Sequence, residues 1–217
     1  MNRESMALGN LRHNATVYYS SDYKTEIDEK NLELLNIVIE DESLPRSASK
    51  EINKFLFKTP LDLTFTKVTP ERNFVKELCE TNNAEKIESW LKSRDMNFYS
   101  IEYSITSVGG KHSKIQSFNP DFFIKLKDGK TAHFIVIEIK SDGDVSEENK
   151  AKLKYGVQHF KDLNKELEKQ KIDEKYHFHF LSPNSYDVFF DHLRNGIIKE
   201  FEFRSDLEDK LLAKTDE

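Results

Sequence analysis

Residues 119–140 read Asn-Pro-Asp-Phe-Phe-Ile-Lys-Leu-Lys-Asp-Gly-Lys-Thr-Ala-His-Phe-Ile-Val-Ile-Glu-Ile-Lys, and the rest of the fold is predicted around them. Asp128-Gly129 is typical of a type I′ turn, because both central residues of that turn need positive φ. Residues 121–126 are therefore predicted to form the strand that enters a β-hairpin, and residues 133–140 the strand that leaves it. Before its charged end the leaving strand is apolar on both sides, as in a strand that is covered on both faces.

The predicted hairpin carries an acidic side chain in each arm. A two-residue loop makes paired residue numbers sum to 257, which puts Asp121 opposite Val136. Because side chains alternate across a strand, Glu138 and Lys140 share a face with Val136, and Asp121 joins that face diagonally from the neighbouring strand. Burying two carboxylates and an ammonium without partners is costly. This face therefore predicts a site for one divalent cation.

The composition predicts one main domain. The chain has 217 residues, of which 33 % are charged and 37 % hydrophobic, enough for one packed core and a small extra lobe. A single Cys excludes an internal disulfide and a zinc cluster built from cysteines. The net charge of −6 gives no general affinity for nucleic acid, so such contacts need local basic patches or another domain. With no membrane-spanning stretch and no signal peptide visible, we expect a cytoplasmic protein without a membrane partner.

Hydrophobic periodicity and turn signals predict the remaining elements. The predicted strands besides the hairpin are 14–20, 97–105 and 176–181. The predicted helices are 47–57, a run that begins at Thr69-Pro70-Glu71, a run that contains Ile87, Trp90 and Leu91, a helix capped by Ser146, and 185–201. Residues 31–40 fit a strand or a short helix, residues 106–118 are predicted as a polar loop, and residues 205–217 as a charged tail.

The end of the hairpin carries a family resemblance. Pro120-Asp121, followed by Glu138-Ile139-Lys140 with 17 positions between the two acids, resembles the signature of the PD-(D/E)XK nuclease superfamily. The predicted order of elements from residue 70 to 182, helix, three strands, helix and strand, is the common core of that superfamily. The resemblance covers roughly half of the chain. Further strings more specifically resemble the nuclease domain at the C-terminal end of type III restriction-enzyme cleavage subunits and related helicase-nucleases: Thr69-Pro70-Glu71-Arg72-Asn73-Phe74-Val75, Phe118-Asn119-Pro120-Asp121-Phe122 and Ala151-Lys152.

The resemblance implies an α/β fold with a restriction-endonuclease-like core, an αβββαβ arrangement in which helices flank a mixed sheet. Residues 67–204 would form this nuclease domain, after an accessory N-terminal lobe of residues 1–66. The implied activity is that of a Mg²⁺-dependent DNA endonuclease, with Mn²⁺ as a substitute, that serves as the nuclease module of a restriction or defence helicase-nuclease. A helicase or translocase would be a separate domain or subunit, because no Gly-x-x-x-x-Gly-Lys-Ser/Thr string is present.

Four residues form the predicted catalytic centre. Asp121 and Glu138 offer hard carboxylate oxygens of the kind that Mg²⁺ prefers, and the resemblance adds the carbonyl of Ile139 as a third ligand. Lys140 is the predicted activator. An ammonium beside the metal can orient or deprotonate the attacking water and stabilise charge on the phosphate.

Helical residues supply two further candidates. The resemblance implies a role at the metal for Glu71, in the first turn of its helix, where an acid also interacts favourably with the helix N-terminus. Glu77 and Glu80 are weaker rivals, because neither shares the apolar stripe of the helix so well. Lys152 and Lys150 flank the apolar stripe of the helix after Ser146, and the resemblance favours Lys152 as the residue that reaches the active site or the scissile phosphate.

Two other functions remain open on the same residues. A catalytically silent nuclease fold would bind DNA or a partner protein, and an RNA-directed nuclease would use the same site. Phosphate contacts could also come from the loop that contains Lys111, His112 and Lys114. His177 and His179 share one face of a strand, and a structural or surface role is expected for them.

Overall fold

The computed structural model describes residues 16–20, 49–61, 63–66, 68–93, 98–106, 113–127, 129–198 and 203–213. The chain divides into two compact units, Met1–Glu85 and Lys86–Glu217, and each contains strands and helices. The protein is therefore of mixed α/β class, as predicted. Within the described ranges, no helix has the length and apolar composition needed to cross a membrane. The domain boundaries predicted after residues 66 and 204 stay predictions.

In its described residues, the first unit has a three-stranded sheet and two helices. Its strands are β1 (Thr16–Ser20), β2 (Ser49–Ile52) and β3 (Leu63–Thr66). Its helices are α1 (Thr69–Leu78) and α2 (Thr81–Ala84). Strand β1 lies in the middle, parallel to β2 and antiparallel to β3. The strand predicted at 14–20 is confirmed. The helix predicted at 47–57 is wrong, because Ser49–Ile52 pairs as a strand with the distant β1 and a turn follows it. Residues 31–40 lie outside the described ranges.

The second unit holds the predicted hairpin. Its strands are β4 (Ile87–Lys92), β5 (Ile101–Thr106), β6 (Ser113–Phe118), β7 (Phe122–Leu126), β8 (Ala132–Ile139) and β9 (Glu174–Leu181). Its helices are α3 (Glu147–Lys169), α4 (Tyr186–Arg194) and α5 (Asp206–Leu212). A four-stranded sheet has the order β4-β7-β8-β9, in which β8 and β9 are parallel and the other neighbours antiparallel. Strands β5 and β6 form a separate hairpin.

The register of the β7–β8 hairpin differs from the prediction. Phe122 pairs with Ile137, so paired numbers sum to 259 instead of 257. The cause is a wider connection, since β7 ends at Leu126 and β8 begins only at Ala132. Gly129 in this connection has a φ of +84°, as the turn signal indicated, while Asp128 lies outside the described residues. A shift of two residues keeps every side chain on its predicted face.

Three other predicted elements are wrong. The run with Ile87 and Trp90 is strand β4. A bulge between Ile87 and Ser89 lets Ile87 and Trp90, three residues apart, both face the core, and this spacing resembles that of a helix. The polar loop predicted at 106–118 contains strand β6. The charged tail contains α5, whose N-terminus is a capping box between Ser205 and Glu208.

Helix α3 packs against β9 of the four-stranded sheet and against β5. Ser146 caps it, as predicted, by accepting a hydrogen bond from the Asn149 N–H at 3.3 Å. Gly156 faces the ring of Phe178 on β9 so closely that a Cβ atom at this position would lie 2.2 Å from a ring carbon. The core between helix, sheet and the β5–β6 hairpin contains Tyr103, Phe118, Val136, Leu153, Phe160, Phe178 and Phe180. This packing brings the N-terminal end of α3 next to the end of β8.

Candidate active site

Two carboxylates and an ammonium meet where β8 ends. Asp121 precedes β7, and its Oδ2 accepts a hydrogen bond from the N–H of Ile139 at 2.7 Å. Glu138 is only 4 % exposed, and its Oε1 lies 2.5 Å from the Nζ of Lys140. Continuing the hairpin register one pair beyond Phe122–Ile137 puts Asp121 opposite Glu138. The structure thus brings Asp121, Glu138 and Lys140 together, and we call them, with Ile139, the carboxylate–lysine centre.

The carbonyl of Ile139 lies on the side of β8 that faces Asp121. The Lys140 N–H donates to the Leu181 carbonyl of β9 at 2.9 Å, whereas the Ile139 N–H donates to Asp121 on the opposite side. The N–H and C=O of one strand residue point the same way and alternate with those of the next. The Ile139 carbonyl is therefore directed toward the same side as the Asp121 carboxylate.

The donor atoms of the centre fit Mg²⁺. Two carboxylates and a carbonyl are hard oxygen ligands, and Mg²⁺ is commonly held by one or two carboxylates while it keeps several waters. Among the residues that the structure describes, no group of three or more His, Cys, Asp or Glu side chains is arranged to hold a metal ion. A cation at Asp121 and Glu138 would therefore complete its coordination with water and with oxygens of a substrate.

Lys140 carries a positive charge at this centre. Burial lowers the pKa of its ammonium, but the carboxylates of Glu138, Asp121 and Asp144 together raise it by more, so the pKa lies above its ordinary value. At neutral pH the side chain is therefore a cation with three N–H donors and no acceptor. It can orient water and stabilise negative charge in this state, whereas removing a proton from water would first require its own deprotonation.

A second polar group lies beside the carboxylate–lysine centre. The hydroxyl of Tyr103 on β5 donates to Glu148 Oε1 at 2.9 Å, and the same oxygen lies 2.7 Å from the Nζ of Lys152. This Nζ also lies 5.5 Å from the centre of the Tyr103 ring, within the range of a cation–π interaction. Tyr103 is near enough to Glu138, and Glu148 to Lys140, for their charges to interact. We call these three residues the tyrosine–lysine group.

The protonation states within the tyrosine–lysine group are well defined. Burial, followed by the hydrogen bond to Glu148, raises the pKa of Tyr103 to about 12, so its hydroxyl remains a donor at neutral pH. Hydrogen bonds from Lys152 and then Tyr103 lower the pKa of Glu148, which remains a carboxylate. Lys152 is therefore held between an anion and an aromatic face.

No family model, curated protein or solved structure matches this chain. What the site can do is therefore inferred from its own geometry and from the sequence resemblance.

The remaining predicted helical residues have different surroundings. Glu71 lies in the first turn of α1, in the first unit, and its role at a metal stays a prediction, as does that of Glu77 or Glu80. Lys150 pairs with Glu147 at 2.6 Å, whereas Lys152 lies beside the ring of Tyr103. Of the two lysines, only Lys152 is in the tyrosine–lysine group, and its role in catalysis stays a prediction.

The basic loop and the strand histidines lie elsewhere. Lys111 and His112 fall outside the described residues, and Lys114 is exposed on β6. His177 stacks on His133, with Nε2 3.0 Å from Nδ1 of its neighbour, and His179 Nδ1 lies 3.4 Å from Glu208. Both histidines thus make structural contacts.

Two residues beside the centre, Glu148 and Tyr103, are not predicted from the sequence. Glu148 had a usable signal, because an acid four residues before Lys152 on a helix is well placed to pair with it. Tyr103 had none, since its alternation with Ile101 and Ile105 indicates only one face of a strand. Its place at the site follows from the packing of β5 against α3, and no local pattern encodes that contact.

Proposed function

We propose that this protein is a Mg²⁺-dependent DNA endonuclease of the restriction-endonuclease-like type, the cytoplasmic nuclease module of a restriction or defence helicase-nuclease. The observation that carries the proposal is the carboxylate–lysine centre. Asp121 is anchored to the Ile139 N–H, the nearly buried Glu138 lies on the neighbouring strand, and the Lys140 ammonium contacts Glu138. Two acids and a lysine in this arrangement suit the hydrolysis of a phosphodiester.

The order of the elements supports the same proposal. Helix α1 is followed by three antiparallel strands of one sheet, β4, β7 and β8, then by α3 and by β9 parallel to β8. This is an αβββαβ order when the β5–β6 hairpin is treated as an insertion between the first and second strands. The first strand of such a core would then be β4, and not the segment 97–105 on which the sequence prediction relied.

The residues of the chain have separable tasks in the proposed reaction. A Mg²⁺ ion held by Asp121, Glu138 and the Ile139 carbonyl would polarise the scissile phosphate and lower the pKa of a bound water. The Ile139 N–H fixes the Asp121 carboxylate, so this acid needs no rearrangement to act as a ligand. Lys140 donates hydrogen bonds that orient the attacking water and stabilise charge on the phosphate oxygens. Lys152, which Glu148 and Tyr103 hold in place, neutralises a phosphate oxygen.

A plasmid-cleavage assay tests the proposal. We expect supercoiled DNA to be nicked in Mg²⁺ or Mn²⁺ and to stay intact in EDTA. Asp121→Asn keeps an acceptor for the Ile139 N–H but removes the charge, so cleavage should be lost while the melting temperature is retained. Asp142→Asn is the matched control, because Asp142 also accepts a backbone hydrogen bond, from Asn184 at 3.1 Å, but is exposed. Cleavage by Asp121→Asn at the wild-type rate would contradict the proposal.

Substrate choice is tested in the same assay. RNA and DNA of the same sequence are offered side by side with Mg²⁺, and preferential cleavage of RNA would favour the RNA-directed alternative. Binding of nucleic acid without cleavage in Mg²⁺ or Mn²⁺ would instead support a catalytically silent fold.

A further inference from the structure

A groove runs along α3 on the flank opposite the β5–β6 hairpin. It has a volume of about 660 Å³ and lies between α3 and the segment that contains α5, over the edge strand β9. Lys154 and Lys161 line it from α3, and Arg204 lines it from the other side. The exposed apolar side chains of Val157 and Leu212 line it between these charges. We call this feature the basic groove.

Three cations of the basic groove are available for a ligand. Lys154, Lys161 and Arg204 are exposed, and none of them forms a salt bridge with another residue in the described part of the chain. The acid in the groove, Glu208, is engaged elsewhere. Its two carboxylate oxygens accept hydrogen bonds from the backbone N–H groups of Phe180 and Ser205 at 2.9 and 2.8 Å.

The sequence of α3 segregates charge in the same region. Between Asn149 and Lys161 every charged side chain is a lysine, in a chain whose net charge is −6, and acids resume only at Asp162. Beyond that point Lys165 and Lys169 are paired with Asp162 and Glu166 at 3.1 and 3.2 Å. Lys150 and Lys152 are paired with acids in the first turn, so the lysines of α3 without an ion pair among the described residues are Lys154 and Lys161, which line the groove.

The backbone of β9 is protected against a peptide strand. Asn164 accepts a hydrogen bond from the Tyr176 N–H and donates one to the Tyr176 carbonyl, both at 2.8 Å. Phe178 is the next residue along this edge, followed by Phe180. Glu208 accepts a hydrogen bond from the Phe180 N–H, and Ser205 donates one to the Phe180 carbonyl. Side chains thus occupy the positions at Tyr176 and Phe180 that an added strand would use. The groove is therefore better suited to an anionic ligand, which its cations attract, than to a peptide that pairs with β9.

We propose that the basic groove binds the phosphate backbone of nucleic acid at a site separate from the carboxylate–lysine centre. Lys154 and Lys161 are seven residues apart, or about 10 Å along the helix axis. One strand of a duplex presents a phosphate about every 3.4 Å of axis, so a groove of this length meets several phosphates, whereas a small anion would neutralise only one end. The proposed function supplies the choice of nucleic acid as the polyanion. Since α3 also supplies Lys152 to the site, the groove would hold a flanking part of the substrate that is cleaved there.

The test measures binding without chemistry. A short fluorescent DNA duplex is titrated with the full-length chain in EDTA over a series of salt concentrations, and the slope of log K against log salt is determined. The double variant Lys154→Gln/Lys161→Gln should bind more weakly, and its slope should fall by about 1.8, since each lost phosphate contact contributes about 0.9. The control is Lys165→Gln/Lys169→Gln, which removes the same charge from the second half of the same helix and should leave the slope unchanged.

Several outcomes would overturn the proposal. These are an unchanged slope in the groove variant, an equal loss in the control variant, absence of salt-dependent binding by the wild type, and displacement of DNA by millimolar inorganic phosphate. In a cleavage assay the groove variant should show a raised KM and an unchanged kcat. If the wild type binds through the groove but never cleaves, the proposed function fails while the binding site stands. If the wild type cleaves and the groove variants bind DNA normally, the proposed function stands while the binding site in the groove fails.

Discussion

One substitution at Lys140 should separate catalysis at the centre from metal binding there. Lys140→Ala removes no predicted ligand, so Mn²⁺ affinity measured by calorimetry should be unchanged or higher, because a neighbouring positive charge repels the ion. Cleavage should fall by about 10²–10³-fold, the usual effect of removing one group that stabilises charge in the transition state. The metal-free melting temperature should also fall, since Glu138 loses the ammonium at 2.5 Å, and Mn²⁺ should restore it.

The control for this experiment is Lys150→Ala, which removes a lysine paired with Glu147 outside the centre. It should cleave at the wild-type rate. If Lys140→Ala also cleaves at that rate, the lysine is only the end of a strand, and a binding role for the whole domain becomes the better hypothesis.

Tyr103 is predicted to act on the reaction only through Lys152. Tyr103→Phe removes the hydroxyl that donates a hydrogen bond to Glu148 at 2.9 Å. Such a hydrogen bond contributes about 0.5–1.5 kcal/mol, so kcat/KM should fall by roughly 2- to 13-fold. If the hydroxyl acts by positioning Lys152, adding Tyr103→Phe to Lys152→Ala should cost nothing further. Tyr155→Phe is the matched control, because the Tyr155 hydroxyl on α3 forms a hydrogen bond of 2.5 Å with Ser104, which lies on β5 next to Tyr103. Additive losses in the double variant would assign Tyr103 a role of its own.

At the residue scale, the sequence predicts which residues meet at the centre, and Lys152 beside it, but not Tyr103 or Glu148. Asp121, Glu138 and Lys140 belong to a local string, and an error of two in the register leaves their common face unchanged. Tyr103 reaches the site only through packing between a hairpin and a helix that are far apart in the chain. Such contacts have no period and no local signal.

Helix α3 depends on the absence of a side chain at Gly156. Gly156→Ala would put a Cβ 2.2 Å from the Phe178 ring, and that ring is buried. Overpacking of this kind typically costs about 1–3 kcal/mol, against about 1 kcal/mol gained in helix propensity, so we expect net destabilisation in urea unfolding. Phe178→Leu in the same chain should relieve part of the loss. The control Gln158→Ala, on the exposed flank of the helix, should change stability by no more than about 0.5 kcal/mol.

Elements with strong local signals were predicted well. The cap at Ser146 and the apolar stripe predict α3 correctly, and the Asp128-Gly129 turn signal with its apolar second arm predicts β7 and β8. The sequence of β4 predicts a helix because the bulge beside Ile87 gives the strand a helical period of buried residues, and that of β6 predicts a loop because Ser113–Phe118 is mostly polar. Both strands are defined by the partner with which they pair.

Acid sensitivity of the whole molecule should depend on His177. Burial, reinforced by His133, His179 and Lys175, lowers the pKa of its imidazole to about 4, against about 6.5 in the unfolded chain. Between these values the unfolded state binds more protons, so the free energy of unfolding falls as the pH drops from about 6.5 to about 4, by up to about 3 kcal/mol. His177→Gln should flatten this part of the stability curve, measured by urea unfolding at several pH values.

Lys175→Gln provides a graded comparison for this prediction. It removes the smallest of the causes that lower the pKa of His177, so the slope should flatten only slightly. Identical slopes in the wild type and in His177→Gln would show that other groups govern the acid sensitivity.

At the scale of the whole molecule, the α/β class could be predicted from composition and the order of elements. The separation into units at residues 85 and 86, and the insertion of β5 and β6 between neighbouring strands of one sheet, could not. Both features concern which distant segments meet. Hydrophobic periodicity describes how a segment packs and leaves its partner undefined.

That insertion has a consequence for how the second unit folds. Lys92 of β4 pairs with Phe122 across 30 residues, whereas Lys125 pairs with Phe134 across only 9. Closing the longer loop costs about 1 kcal/mol more entropy, and contacts of high contact order form late. Strand β4 is therefore expected to join a sheet whose central hairpin already exists. The only tryptophan of the chain, Trp90, lies buried in β4, so its fluorescence should report the docking of this strand onto the hairpin, later than the circular dichroism signal of the helices.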